Sequence, residues 1–260
     1  MRLFLRVIGF AVLAASLSFA PSASAQAAAA SSDNASHWSY AGKGGPANWG
    51  RLDKSYTACS LGKDQSPIDI RGARYDKSLK PIEFHYMAVE AEVVNNGHTV
   101  QVNLPAGSYV LVDGHRYDLV EYHFHHPSEE AVKGKLSDMD VHLVHRDAEG
   151  KLLVIAIRLN EGRANAAIAA LWAAMPVKAG DRKKTTDYVN PAGLLPADRN
   201  YWSYEGSLTT PPCTEGVRWL VFEQEVELDR TQLRNFGALY PHNARPIQTP
   251  REHKITSSNF

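Results

Sequence analysis

Alternating apolar and polar residues in the middle of the chain predict three β-hairpins. The paired segments are residues 90–94 with 99–104, 109–112 with 116–124, and 140–145 with 152–159. Each pair flanks a short polar turn that contains glycine: Asn-Asn-Gly, Asp-Gly or Asp-Ala-Glu-Gly. Such sequences between runs of β-forming residues are typical of hairpins, so the pattern indicates a largely antiparallel sheet.

Helical periodicity is confined to short segments outside these hairpins. Residues 164–174 are rich in alanine, with large apolar residues at helical spacing and Pro176 just beyond, which predicts one clear helix. Residues 218–226 have the pattern of a further strand, and residues 229–236 that of a second short helix. Residues 37–69 show little periodicity and predict an irregular segment wrapped over the body. The expected fold class is mainly β (α+β): a single large twisted, mostly antiparallel sheet with short peripheral helices.

The N-terminus has the features of a secretory signal peptide. Arg2 and Arg6 precede an apolar run over residues 7–20, and small residues suited to cleavage follow at 22–25. The alternative is a membrane anchor, but the run is too short to span a bilayer comfortably. We therefore predict a signal peptide at 1–25, a flexible leader at 26–36 and a single domain over 37–260. No later stretch of about 18 apolar residues appears, so we expect a mature protein that is not integral to the membrane.

Charge and cysteine content narrow the partners and the compartment. The 28 Lys and Arg residues balance the 28 Asp and Glu residues, which gives no reason to expect a nucleic acid or an anionic membrane as partner. The chain has 2 cysteines, Cys59 and Cys213. In an exported protein two cysteines most simply form one disulfide, although two free thiols are the alternative.

A cluster of histidines carries the candidate chemistry. In a strand over residues 121–126, alternation puts Glu121, His123 and His125 on one face. Two imidazoles about 7 Å apart along a strand can share one metal ion. They need a third ligand, and His142 supplies it if the strand at 140–145 pairs antiparallel with the first. Three histidine nitrogens with an open fourth position are typical of catalytic zinc sites.

Carboxylates near these histidines strengthen the metal hypothesis. Glu121 and Asp140 each lie two residues before a candidate ligand on the same face, where they could accept the outer N–H of the imidazole. Either could instead be a solvated or structural acid, and a His-x-His pair on a strand is not by itself a metal site. His126 and His145 have the opposite parity, so we expect a lining or surface residue and a hydrogen-bonded core residue.

The order and spacing of further motifs resemble the α-class carbonic anhydrases over almost the whole mature chain. Besides His-Phe-His at 123–125 and His-Leu-Val-His at 142–145, the similar segments are 37–40, 48–50, 65–70, 95–98, 204–213, Trp219 and 243–246. The resemblance implies the α-carbonic anhydrase fold and His123, His125 and His142 as ligands of Zn²⁺. It also implies reversible hydration of carbon dioxide to bicarbonate and a proton, by attack of zinc-bound hydroxide on carbon dioxide.

The resemblance also assigns roles to other residues. Thr209 resembles the family's gatekeeper, whose hydroxyl accepts a hydrogen bond from the zinc-bound hydroxide and donates one to an acid. Glu129 is the choice for that acid by position, with Glu130 the alternative. His98 resembles the proton shuttle. The remaining assignments are an apolar carbon dioxide pocket, residues that order proton-path waters, and a disulfide: Val144, Val154, Leu208, Trp219; Tyr40, Asn96, Gln101; Cys59 with Cys213.

Several residues depart from the common family pattern. His126 and Pro127 replace Trp-Gly, a variant typical of bacterial members, and Glu130 stands where histidine is frequent. Asp140 replaces a commoner Glu, so a carboxylate one carbon shorter is expected to orient His142 less well. Glu121 replaces a commoner Gln, and its charge is expected to raise the pKa of the metal-bound water.

The resemblance further implies a bacterial protein that is secreted across the inner membrane to the periplasm, binds sulfonamide and anion inhibitors and forms a homodimer. The sequence argues against two alternative functions. A non-catalytic binding module with this fold would lose zinc ligands, whereas all three positions here are histidine. A zinc protease would need a His-Glu-x-x-His helix, which the sequence lacks.

Overall fold

Thirteen strands form one twisted mixed sheet within residues 38–249 and 254–260, the part of the chain that this computed structural model describes. The predicted signal peptide at 1–25 and leader at 26–36 lie outside the described residues. The strands in chain order are β1 (Asp69–Ile70), β2 (Arg74–Tyr75), β3 (Glu83–His85), β4 (Glu92–Asn95), β5 (Val100–Asn103), β6 (Tyr109–Val112), β7 (His115–His125), β8 (Ala131–Val132), β9 (Lys135–Leu136), β10 (Met139–Arg146), β11 (Leu152–Glu161), β12 (Arg182–Lys184), β13 (Tyr201–Ser207), β14 (Glu215–Phe222), β15 (Val226–Leu228) and β16 (Thr256–Ser257).

The helices are short and peripheral to this sheet. They are α1 (Trp49–Leu52), α2 (Ala58–Leu61), α3 (Ala166–Ala173) and α4 (Arg230–Leu239), with single 3₁₀ turns at Gly42–Gly44, Pro46–Asn48, Lys54–Tyr56 and Pro191–Leu194. Helix α4 begins with a capping box, in which the Asp229 side chain accepts from the amides of Thr231 and Gln232. The mainly β fold with short peripheral helices is therefore confirmed.

The main sheet runs β12-β4-β5-β7-β10-β11-β14-β13-β16-β2, with β3, β6 and β15 attached at its sides. The three predicted hairpins are all present, as antiparallel pairs β4–β5, β6–β7 and β10–β11. The sheet is not wholly antiparallel, because β11 pairs parallel with both β14 and β15, and β16 pairs parallel with β2. Strands β1, β8 and β9 form a separate small sheet.

The central strands are buried on both faces, and each face has a different content. One face packs into the main hydrophobic core through Tyr122, Phe124, Val141 and Leu143. The opposite face carries a smaller apolar cluster and the histidines; its buried members are Ile68, Ile70, Val154, Ala156, Tyr204, Val217, Trp219 and Val221. The histidines therefore lie on one face of strands whose other face packs into a large apolar core. This packing holds the strands rigid.

A bulge in β7 changes which of its side chains point to each face of the sheet. The pairing with β10 shifts so that Val144 faces Glu121 while His145 faces Leu119, which leaves Val120 as an extra residue. Tyr117 and Leu119 consequently lie in the main core together with Tyr122. Such bulges re-aim side chains and are common beside functional sites. Regular alternation therefore holds only on each side of Val120, and the alternation predicted for residues 121–126 lies on one side of the bulge.

Three segments differ from the sequence prediction. Residues 218–226 are not one strand, because the chain leaves the sheet at 223–225, where the Glu223 carbonyl and Glu225 carboxylate accept bonds from Arg158. The segment at 38–61 consists of single helical turns rather than irregular chain. Strand β13 was not predicted as a strand, although it pairs with β14 along its length.

A disulfide joins Cys59 in α2 to Cys213, as the sequence predicted. It packs with Trp49 into a third buried apolar cluster beneath the N-terminal turns. The disulfide thus connects those turns to the segment that follows Thr209.

Candidate metal centre

Strand register brings the three candidate ligands together. His142 on β10 lies directly opposite His123 on β7, and His125 lies opposite Asp140. One ring nitrogen from each of His123, His125 and His142 lies within 4.8 Å of the other two. This spacing suits three nitrogen donors that surround one metal ion, as the alternation of both strands predicted.

Each imidazole has an acceptor at the nitrogen that points away from the cluster. The Glu121 carboxylate lies 2.9 Å and 3.0 Å from Nδ1 of His123. The carbonyl of Asn243 lies 2.8 Å from Nδ1 of His125. Since carbonyls and carboxylates only accept, these nitrogens carry the hydrogen, and Nε2 of both rings is left to face the cluster.

The third ring is reversed. Nε2 of His142 lies 3.3 Å from the carboxylate of Asp140 and 3.3 Å from that of Glu130, so its Nδ1 faces the other two histidines. Asp140 and Glu121 therefore occupy the outer positions that the sequence indicated. Asp140 also accepts the backbone amide of Glu129 at 2.7 Å, so its carboxylate serves two donors.

The cluster fits a divalent cation on its own chemistry. Nε2 of His125 is buried and has no hydrogen-bond partner among the residues that the structure describes, although burial penalises an unpaired polar atom. Burial by itself would lower the pKa of His142, but the Asp140 and Glu130 carboxylates outweigh it and hold that pKa well above its ordinary value. The surroundings of His142 thus favour a positive charge, which a bound cation supplies. Burial lowers the pKa of His125, as a neutral ligand requires.

Glu129 is buried beside the cluster. The Thr209 hydroxyl donates a hydrogen bond to it, and the Arg245 amide donates a second at 2.7 Å. Burial raises the pKa of Glu129 to about 8, against the opposing effects of His142 and these two donors. A cation among the histidines would lower this pKa, because a nearby positive charge favours the carboxylate. Of the two acids considered, Glu129 is therefore the one that Thr209 contacts.

A cleft of about 210 Å³ opens over His123 and His125. Its wall contains most of the residues expected there: Tyr40, Asn96, His98, Gln101, Glu121, Val144 and Leu208. Val154 and Trp219 lie beneath it in the apolar cluster that Val144 and Leu208 pack against. The ring of Trp219 contacts that of His142 edge-on, with centroids 4.9 Å apart.

His98 is held at the rim of the cleft by its turn. The Asn96 side chain accepts the amides of His98 and Thr99, both at 2.9 Å, and donates to Gln101 at 3.2 Å. The imidazole of His98 stacks on Trp38, with centroids 3.7 Å apart and an 8° angle between the rings. Asn96 and Gln101 therefore shape the turn as well as line the cleft.

The two histidines of opposite parity lie where expected. His145 is buried in the core, and its Nε2 lies 2.8 Å from the Tyr86 hydroxyl. His126 is half-buried, with Nδ1 2.9 Å from the Pro241 carbonyl.

The contacts that three residues make in the site were not predicted from the sequence. Asn243 supplies the backbone carbonyl for His125 and also bonds His126 and His98. Glu130 contacts His142, and Trp38 stacks on His98. No local sequence pattern predicts that a backbone carbonyl will accept a hydrogen bond from a histidine. The family resemblance at 243–246 did indicate that this segment has a role.

A second group of donors lies away from this cluster. His115, Asp147 and Glu149 come together where two hairpin turns meet. The Asp147 carboxylate already accepts from His115 at 3.0 Å and from the amides of Glu149 and Lys151. These bonds account for the group as a link between the two turns.

Three histidine nitrogens beside a cleft, on a twisted sheet and with an acceptor behind each ring, are the arrangement typical of metalloenzymes that bind their metal through histidines. The family model for eukaryotic-type carbonic anhydrases matches residues 44–259, and the chain belongs to that family.

Relatives and solved structures agree with this assignment. A carbonic anhydrase of Pectobacterium carotovorum is 40% identical over 220 residues, 84% of this chain and 90% of the relative. One of Nostoc is 37% identical over 252 residues, 95% of this chain and 93% of the relative. The α-carbonic anhydrase of Thermovibrio ammonificans, solved with the inhibitor sulfanilamide, has a TM-score of 0.83 and 42% identity, over 85% of this chain and 98% of that one.

None of the helices in residues 38–249 and 254–260 has the length and apolarity needed to cross a membrane.

Proposed function

We propose that this protein is a zinc enzyme that catalyses the reversible hydration of carbon dioxide to bicarbonate and a proton. The observation that carries the proposal is the cluster of His123, His125 and His142, with ring nitrogens within 4.8 Å of one another. His123 and His125 also line the cleft. A bound zinc ion would supply a Lewis acid that lowers the pKa of water to about 7, a value known for carbonic anhydrases themselves rather than obtained from these distances.

Thr209 and Glu129 would orient the reacting group. A carboxylate without a proton can only accept, so the bond from Thr209 to Glu129 uses the single proton of the hydroxyl. The Thr209 oxygen is then able only to accept a hydrogen bond from the reacting oxygen in the cleft. One lone pair of that oxygen is thereby directed at the substrate carbon, which reduces the orientational cost of the attack.

The apolar wall would hold carbon dioxide. The substrate carries no charge and no hydrogen-bond donor, so a wall formed by Val144, Val154, Leu208 and Trp219 suits it. Water is less well accommodated there, because apolar side chains offer it no partner.

His98 would carry the released proton to solvent. An imidazole with an ordinary pKa of about 6.5 both accepts and releases a proton near neutral pH. Its place on the rim of the cleft requires that it act through water molecules, which the polar side chains of Tyr40, Asn96 and Gln101 would order.

Export, assembly and inhibition are part of the proposal. The signal at 1–25 supports secretion across the inner membrane to the periplasm, where the disulfide is stable. Family resemblance supports a homodimer, and a gel-filtration result of monomer alone would contradict it. The sulfanilamide complex of the Thermovibrio ammonificans enzyme supports sulfonamide binding by this chain.

Stopped-flow hydration of carbon dioxide tests the function. The comparison uses the chain from Gln26 as loaded enzyme, as protein stripped by a chelator, and as His142→Ala. We expect fast hydration that is lost on stripping and in the variant, and that zinc restores only in the wild type. His85→Ala, which changes an exposed histidine outside the cluster, is the matched control and should remain fully active. A wild-type protein that binds one zinc ion but does not accelerate hydration would contradict the proposal and favour a binding module.

A further inference from the structure

Glu130 is a fully buried carboxylate whose side chain reaches the third histidine of the cluster. Its Oε2 atom lies 3.3 Å from Nε2 of His142, and Oδ2 of Asp140 lies at the same distance from that nitrogen. We propose that Glu130 is a positioning residue that shares with Asp140 the task of orienting His142 for the metal. This inference rests on the proposed zinc site.

Asp140 by itself is poorly placed for this task. It lies on the same strand as His142, two residues earlier, and its Oδ2 atom lies 3.3 Å from Nε2. The same oxygen accepts the Glu129 amide at 2.7 Å. The closer bond fixes the carboxylate toward Glu129, so a second acceptor is needed to fix the imidazole.

Glu130 reaches His142 from the loop between β7 and β8, and its side chain is itself held by hydrogen bonds. The Tyr204 hydroxyl donates to Oε1 of Glu130 at 3.3 Å, and Ser66 donates to Tyr204 at 3.4 Å. The Ser128 hydroxyl also donates a hydrogen bond to the backbone carbonyl of Glu130 at 3.0 Å, which holds the bend that carries the carboxylate. A carboxylate with both oxygens engaged has little rotational freedom, as a group that orients another side chain requires.

The same chain of bonds reaches the segment that carries Thr209. The oxygen of Ser66 accepts the amide of Ser207 at 3.1 Å, and the Ser207 hydroxyl accepts the amide of Ser66 at 2.9 Å. Ser207 lies two residues before Thr209. Through Tyr204 and Ser66, Glu130 therefore connects the orientation of His142 with the position of the gatekeeper.

Burial of two carboxylates at one imidazole also needs an explanation. Glu130 and Asp140 are both 0% exposed, and uncompensated buried charges are costly. A divalent cation held by the opposite nitrogen of His142 would offset that cost, because it would place positive charge beside the imidazole that both carboxylates contact. The two carboxylates would then act together as acceptors for one metal ligand.

Zinc affinity measured by competition with a chelator tests this role. The variants are Glu130→Gln, Asp140→Asn and the double variant, each close in shape to the wild type. Loss of an outer partner of a metal ligand typically weakens metal binding 10–100-fold, and we expect each single change to raise the zinc Kd about tenfold. The double variant should exceed the product of the two single effects, because each single variant retains one carboxylate on Nε2.

Two further variants separate orientation from general stability. Glu225→Gln removes a carboxylate that bonds Ser137 and Arg158 instead, and it should lower the melting temperature while the zinc Kd stays within twofold. Tyr204→Phe keeps both carboxylates but frees Glu130, and it should raise the zinc Kd severalfold. Melting of each metal-free variant shows whether it is folded.

A spectroscopic signature completes the test. In zinc-loaded protein, the ¹⁵N-bound Nε2 proton of His142 should shift in Glu130→Gln, whereas the Nδ1 proton of His123 should not. An unchanged zinc Kd and an unchanged His142 signal in folded Glu130→Gln would overturn the inference, even if the wild type binds zinc and hydrates carbon dioxide. A wild type that binds no zinc would overturn both this inference and the proposed function.

Discussion

Single residues of this protein owe their chemistry to the strand face on which they lie. His142 and His145 are three positions apart on β10, yet one faces two carboxylates in the site and the other lies in the apolar core. Their pKa values accordingly move in opposite directions, upward for His142 and downward for His145. Surroundings rather than residue type therefore decide the role of each histidine.

Replacement of His98 by alanine should slow the release of protons without affecting the attack on carbon dioxide. We expect kcat to fall by roughly a hundredfold at low buffer concentration, the lower end of what a positioned acid or base contributes, with kcat/KM nearly unchanged. Imidazole in the buffer should restore much of the rate. Stopped-flow assays at several buffer concentrations measure this, with His85→Ala as the control. An unchanged kcat in dilute buffer would show that protons leave by another route.

Buried His145 should make stability depend on pH. Burial lowers its pKa from 6.5 to about 4, so the folded protein resists a proton that the unfolded chain takes up. Stability should therefore fall as the pH drops from about 6.5 to 4, by about 3 kcal/mol for this group. Urea unfolding between pH 4 and 8 tests this in the wild type and His145→Gln, where this part of the slope should vanish. Parallel curves for the two proteins would contradict it, and the change of exposed His85 to glutamine, His85→Gln, is the control.

At the scale of elements, helix α4 illustrates a boundary set by local sequence. Asp229→Ala removes the side chain that accepts the amides of Thr231 and Gln232 at 2.7 Å and 2.8 Å. Loss of such a cap costs about 1 kcal/mol, which should appear as a lower urea midpoint with an unchanged slope. Asp187→Ala, in a loop, should have almost no effect. Equal midpoints for the two variants would show that packing alone holds the helix.

Strand β7 illustrates an element whose form depends on its neighbours. Its alternation was predicted correctly for residues 121–125, which lie beyond the bulge. On the other side of Val120 the parity reverses, and Leu119 turns into the main core. Nothing in the local sequence distinguishes a bulge from a regular strand here, because the extra residue is defined only by what the partner strand places opposite it.

At the scale of the whole molecule, the Cys59–Cys213 disulfide connects parts of the chain that are 154 residues apart. The chain-entropy view predicts up to about 5 kcal/mol of stabilisation from a loop of this length, and 2–5 kcal/mol is typical of native disulfides. The double change Cys59→Ser with Cys213→Ser should reduce the free energy of unfolding by that amount in urea. The wild type in reducing buffer should match it. A loss below 1 kcal/mol would show that the buried cluster around Trp49 holds the two segments without the bond.

The sequence by itself determined the local properties of the site. Alternation placed His123 and His125 on one face of their strand, and Asp140 with His142 on one face of the next. The turn sequences fixed the hairpins, because side-chain direction and turn type depend on neighbouring residues. The motifs with their spacing also identified the family. The tertiary structure decided the rest: the register that puts His142 opposite His123, the Asn243 carbonyl behind His125, and the approach of Glu130 to His142. These contacts join residues distant in sequence or depend on a bend in a loop, so no local pattern records them.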